Sequence, residues 1–107
     1  MQFVLFYITC PSTEVAHKLA EGSVQARLAA CANIMPGMTS IYEWKGALHT
    51  DQETVLILKT RTDLINSLTE WITSNHPYTV PCILQIPVLS GNEPYLDWLM
   101  TQTGDQK

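Results

Sequence analysis

Six consecutive side chains, Phe3 to Ile8, are apolar with no charged or amide residue among them. A strand with one face in water alternates apolar with polar. An unbroken apolar run reads as a strand covered on both faces. Pro11 ends this run. Ser12 is placed to cap a helix, and Glu14 falls in the first turn, where the helix dipole favours an anion. Ala16, Leu19, Ala20, Val24 and Leu28 recur at helical spacing. They predict a helix to about Arg27 with that stripe buried. Gly22 sits inside it at a cost of about 1 kcal/mol; close packing against a sheet is the expected reason.

The longest patterned stretch runs from Ala29 to Thr60 and reads as one very long β-hairpin. Its arms flank a turn region containing Gly46 and Asp51. Pro36-Gly37 interrupts the first arm. Proline cannot donate to a ladder and glycine tolerates unusual backbone angles, so a bend or bulge is predicted there. In the second arm Val55 and Ile57 alternate with Leu56 and Leu58, so both faces are again apolar. Ordinary strands run about 3–10 residues. A longer hairpin projects past its own domain, toward another chain.

Thr62-Asp63 starts a second helix in which Leu64, Ile65, Leu68, Trp71 and Ile72 match the helical template. Ser74-Asn75-His76-Pro77 ends it, because the residue before a proline is steered out of the helical region. Cys82 to Ile86 is the fourth predicted strand, stopped near Pro87. Asn92 is placed to cap a short third helix, with Glu93 and Pro94 in its first turn and Leu96 and Leu99 docking it. Thr101 to Lys107 reads as a loose polar tail. The order β-α-β-β-α-β with an added helix is the split βαβ, or ferredoxin-like, arrangement: an α+β sandwich in a single domain spanning residues 1–107. Its two main helices cover one face of the sheet. Strands 1 and 3 lack the polar positions of a free face. Other subunits are therefore expected to bury the second face.

Composition sharpens this picture. Charged residues make up only 15% of the 107 residues and hydrophobic ones 46%, against a usual charged share of about 25%. That balance fits apolar surface buried beyond a monomer core. The net charge of −4 offers no basic stripe for nucleic acid. Cys10, Cys31 and Cys82 are an odd set without close spacing, so neither a disulfide framework nor a CxxC metal motif can be drawn. A reducing cytoplasm is the expected setting. The Phe3–Ile8 run lacks the flanks of a signal peptide, and no stretch reaches the ~18 apolar residues of a membrane span.

Candidate chemistry is sparse. His76, before Pro77-Tyr78, reads either as a ligand in a pocket or on a metal, or as a helix-end histidine bonded to backbone. Lys59 ends an apolar strand. It reads as a snorkelling surface lysine or as a cation aimed at an anion in an interface cleft, near Glu53, Tyr42 and Tyr95. Tyr42 and Trp44 read as interface aromatics of the hairpin. Cys31 reads as an inert buried thiol. No nucleophile elbow, P-loop or dinucleotide fingerprint occurs, and no catalytic residue is assigned.

Leu28-Ala29-Ala30-Cys31-Ala32-Asn33-Ile34-x-Pro36-Gly37-x-x-Ser40-x-Tyr42-x-Trp44-x-Gly46 resembles the signature of the CutA family of divalent-cation tolerance proteins. Glu53, Lys59-Thr60, His76-Pro77-Tyr78-x-x-Pro81 and Tyr95-Leu96-x-Trp98-Leu99 follow in the same order, so the resemblance covers about Val4 to Leu99. It implies a ferredoxin-like fold, a homotrimer and a metal-related, non-enzymatic role. It implies a ligand pocket at a subunit interface from Lys59, His76, Tyr42, Glu53 and Tyr95. Tyr42 and Trp44 would lie in the trimer interface. Weak, pH-sensitive copper or zinc binding would fall to His76 with Cys10. The family's further histidine and cysteine positions hold Asn75 and Ile8 here, and Cys82 stands where glutamate is frequent. Three alternatives accompany this reading: a sensor or adaptor like the PII signalling proteins, a trimeric anchor for another protein, and a small enzyme using Lys59, His76 and Tyr95 on an anionic metabolite.

Overall fold

The computed structural model describes residues 2–104. Along the chain lie β1 (Phe3–Cys10), α1 (Thr13–Gln25), β2 (Cys31–Trp44), β3 (Ala47–Arg61), α2 (Ile65–Asn75, entered through a short 3-10 turn), β4 (Ile83–Pro87) and α3 (Glu93–Thr101). The four strands form one antiparallel sheet in the order β2-β3-β1-β4. This is the α+β arrangement that the hydrophobic pattern predicts.

Alternation sorts the central strands into two faces. Val4, Phe6, Ile8 and Cys10 of β1, with Leu56 and Leu58 of β3, meet Ala16, Leu19 and Ala20 of α1 and Leu68 and Ile72 of α2. This is the core. On the other face Tyr7 stands between Ile57 and Leu84, and Leu5 between Lys59 and Ile86. No helix lies over Leu84 and Ile86, which are 57% and 45% exposed. α3 covers only one corner, where Phe3, Ala30 and Leu99 close a second small cluster with Tyr95, Leu96 and Met100.

Several local expectations change. Ser12 does cap α1, its Oγ accepting the Val15 N–H at 3.2 Å. The buried stripe, however, takes Ser23 in place of Val24. The Ser23 hydroxyl donates to the Ala20 carbonyl at 3.1 Å, which satisfies it inside the core. Gly22 is explained by a helix, not the sheet: a Cβ there would lie 2.5 Å from the Trp71 ring of α2. The hairpin turn is the pair Lys45-Gly46, both with positive φ (52° and 78°), as two-residue hairpin turns require. Asp51 is not in the turn but in β3, opposite Ser40. Thr101 closes α3, Thr103 is buried with its Oγ1 donating to the Leu99 carbonyl, and the Gly104 N–H donates to Arg27. The expected loose tail is thus docked as far as Gly104, and its last part, residues 105–107, lies outside the described residues.

The bulge is where proline and glycine place it, with a register shift between Met35 and Met38 and Gly37 at φ 79°. Beyond it, seven pairs from Met38↔Glu53 to Trp44↔Ala47 continue after β1 has ended at Cys10↔Thr54. This ribbon extends the molecule to 49 × 25 × 22 Å. Ile41, Trp44 and Leu48 on it are 66%, 61% and 75% exposed.

Gly22→Ala tests the α1–α2 contact. The added methyl is expected to lower stability by about 1–3 kcal/mol through overpacking on Trp71. That outweighs alanine's helix advantage of about 1 kcal/mol. Urea denaturation at fixed protein concentration measures it, and a variant as stable as wild type would refute the contact.

Candidate functional site at the hairpin base

The sheet narrows to a two-stranded ribbon at Thr54, and polar side chains from four segments gather there. Glu53 is the centre. Its carboxylate accepts from the Ser40 hydroxyl at 2.7 Å and from the Tyr78 phenol at 3.0 Å. One step along the ribbon, the Tyr42 hydroxyl donates to Asp51 and the Tyr42 ring stacks on His49 with centroids 5.4 Å apart. The loop after α2 supplies His76 and Tyr78, whose rings lie 4.8 Å apart.

His76 is 7% exposed, and both its ring nitrogens are in use. Nε2 donates to the Thr9 carbonyl at 2.9 Å, and Nδ1 accepts the Tyr78 backbone N–H at 3.1 Å. A carbonyl only accepts and a backbone N–H only donates, so the partners dictate this tautomer. Cys10 follows Thr9, fully buried. Burial, helped by the Glu53 charge, pushes its thiol from 9.0 up to about 11. Burial also raises the Tyr78 phenol, together with its bond to Glu53, from 10.0 to about 12. The bond to Asp51 raises Tyr42 as well.

Within one chain the residues expected to line an interface pocket form two groups. Glu53, His76, Tyr42 and Cys10 belong to the hairpin base. Lys59 lies six residues further along β3, roughly 20 Å away at about 3.3 Å per residue. Its Nζ donates to the Tyr95 hydroxyl at 3.2 Å and sits 5.4 Å from the Tyr95 ring centroid. The expected metal pair meets an obstacle at each member. His76 presents no open nitrogen, and Cys10 is a buried, protonated thiol. Among the described residues, no three of His, Cys, Asp and Glu converge as a metal site. Ser40, His49, Asp51 and the Thr9 carbonyl are participants that the sequence pattern did not reveal. The register beyond the bulge brings Ser40, His49 and Asp51 together, and the path of the loop after α2 brings His76 to Thr9.

No helix of the described residues is long and apolar enough to cross a membrane. A split βαβ sandwich with a projecting hairpin and a polar knot at its root defines the class of protein. Residues 4–102 match the family described as CutA1 divalent ion tolerance protein. The chain belongs to that CutA family. It is 52% identical over 97 residues to the divalent-cation tolerance protein CutA of Thermus thermophilus, covering 91% of this chain and 94% of that one. It is 48% identical over 93 residues to a protein CutA homolog of Xenopus laevis, covering 87% of this chain but 62% of the relative, so it spans less than two thirds of that protein. The crystal structure of CutA1 from Oryza sativa superposes with a TM-score of 0.95 at 40% identity, covering 99% of this chain and 97% of that one.

Cys10 and Tyr78 both hold their protons more tightly folded than unfolded. Their contribution to stability is whole below pH 9. It is lost as pH rises, for Cys10 through about 11 and for Tyr78 through about 12. Tm is expected to fall across that window, and to fall less in Glu53→Gln, which removes the carboxylate charge acting on both groups. Scanning calorimetry measures the slope; equal slopes in the two proteins would dismiss the network.

Proposed function

We propose that this chain is a non-enzymatic, homotrimeric protein of divalent-cation tolerance, acting through the clefts between its subunits. The carrying observation is the uncovered sheet face with its continuation into the ribbon. Leu84 and Ile86 on that face, and Trp44 on one face of the ribbon with Ile41 and Leu48 on the other, are exposed on a chain with few charges. Surface of this kind marks an obligate interface, where about 2,000 Å² or more is buried in contacts resembling a core. Membership of the family supports the cation-tolerance role. The three free thiols support a reducing, cytoplasmic setting.

Metal contact in this reading is weak. A Cu²⁺ or Zn²⁺ ion prefers imidazole and thiolate. To reach His76 Nδ1 it must displace the Tyr78 N–H, and to use Cys10 it must expel a proton from a buried thiol. The tolerance role therefore rests on assembly and on what the assembly binds, more than on a tight ion site. The sensor-like alternative shares this reading, as it also places a ligand between subunits.

Native mass spectrometry is expected to show a trimer and no folded monomer at micromolar concentration. Trp44→Ala is expected to weaken assembly by about 2 kcal/mol or more, and Gln52→Ala to leave it unchanged. A stable monomer, or equal effects of the two changes, would sink the assembly reading.

Calorimetry with Cu²⁺ is expected to show binding that a strong chelator reverses completely. Retention of the ion against the chelator would overturn the weak-binding reading and require ligands gathered across subunits.

A further inference from the structure

A groove of about 410 Å³ runs beside the outer edge of β2, between α1 and α3. Ala20, Val24, Ala30, Ala32 and Trp98 make its apolar lining. Its size falls within the range of small-molecule sites, about 300–1,000 Å³. Val24 and Trp98 are 37% and 41% exposed, although both are large apolar side chains. Val24 is also the residue that leaves the predicted stripe of α1.

A cation stands next to the groove's lining, though not part of it. Cys31 lines it and stands directly opposite Lys59 in the β2–β3 ladder, so their side chains share a face. Trp98 lines it too, and its ring lies 5.5 Å from that of Tyr95, which holds Lys59 Nζ at 3.2 Å. The ammonium carries three donors, of which Tyr95 takes one. Among the described residues no carboxylate lies within ion-pair distance of Lys59; the ion pair there joins Arg61 to Asp63. A half-buried cation on an apolar face calls for a counter-charge. On α1, Glu21 and Gln25 form the groove's other lip. Glu21 repels a negative group from that side.

We propose that this groove binds a small amphipathic anion, with a flat apolar or aromatic body along Val24 and Trp98 and its oxyanion at Lys59. Shape and charge agree: the aromatic wall suits a planar body, and the lone cation and the opposing Glu21 orient the head group. Every residue involved belongs to one chain. The inference names the ligand class for the Lys59–Tyr95 part of the expected pocket and rests on that reading, while the groove itself is formed within one chain.

The probe is indole-3-acetate, compared with neutral indole-3-acetamide and cationic tryptamine, titrated into the isotope-labelled assembled protein. Indole-3-acetate is expected to move the amide signals of Val24, Ala32 and Trp98 and to bind at least tenfold more tightly than either counterpart. Lys59→Met is expected to reduce indole-3-acetate to the level of the amide and to leave the amide unchanged. Val24→Trp, a change at an exposed position, fills the groove and is expected to abolish binding of the anion. Sedimentation of each variant separates lost assembly from lost binding, and the charge series on wild type decides even where a variant fails to assemble. Equal binding of the three probes, a preference for tryptamine, or signal changes confined to other surfaces would overturn the proposal.

Discussion

A four-stranded sheet has two faces, and this chain carries helices for only one. β1 and β3 are apolar on both, so α1 and α2 bury Val4, Phe6, Ile8, Leu56 and Leu58 while Leu5, Tyr7, Ile57, Leu84 and Ile86 stand on the side they do not reach. Burial contributes roughly 25 cal/mol per Å² of apolar surface. An exposed sheet face therefore forgoes a stabilising term comparable to much of a small domain's net stability, about 5–15 kcal/mol. The rest of the design follows. The low share of charged residues, 15%, fits a face proposed to be covered by other subunits. α3 occupies one corner and leaves the rest open. Pro87 stands on the outer strand β4, where a proline discourages unlimited pairing at the edge.

The second constraint lies where the sheet runs out. Past Cys10↔Thr54, β3 has only β2 for company. A two-stranded ribbon alone is marginal in water. Its root is therefore tied from three directions. Glu53 joins Ser40 on β2 to Tyr78 on the loop after α2, and His76 joins that loop to the Thr9 carbonyl at the end of β1. These bonds set the angle at which the ribbon, with Trp44 and Leu48 on its opposite faces, projects from the sheet. They also explain why the histidine of the His76-Pro77-Tyr78 motif is buried. Pro77 ends the helix, His76 turns inward, and its ring bonds the backbone two residues on.

Element order, core positions and the bulge were legible because periodicity and proline-glycine chemistry are local. What was missed depends on distance or register. Val24 and Ser23 differ in hydropathy in the sense opposite to their burial. A serine bonded to the carbonyl three residues back can enter a core that hydropathy assigns to valine. Gly22 announces a close approach without naming Trp71 as its cause. The network around Glu53 was hidden for a sharper reason. The bulge inserts one extra residue in β2 between Met35↔Val55 and Met38↔Glu53. Ser40 consequently opposes Asp51, where an unbulged ladder would set it against Thr50. One residue of slip exchanges the two faces of a strand, so no count of spacings could assemble these groups correctly. Lys59 and Glu53 share a strand and a face, yet within one chain six residues, roughly 20 Å, separate them along it.

The chemistry that remains unsatisfied differs in kind from that of a metal centre. At the hairpin base Ser40, Tyr42, Asp51, Glu53, Tyr78 and both ring nitrogens of His76 already have partners. An ion that took His76 Nδ1 would leave the Tyr78 N–H without its acceptor, and a buried group so orphaned costs about 1–3 kcal/mol. That cost is charged against the same bonds that root the ribbon, so tight coordination there would loosen the hairpin and whatever assembly depends on it. At the other end of β3, nothing needs to be broken. Lys59 has donors to spare beside an apolar groove and an open face. The proposed role in cation tolerance is therefore separable from ion coordination. The groups left wanting a partner are an apolar surface, a protruding ribbon and a cation, and these suit the proposed subunits and anionic ligand better than they suit a metal.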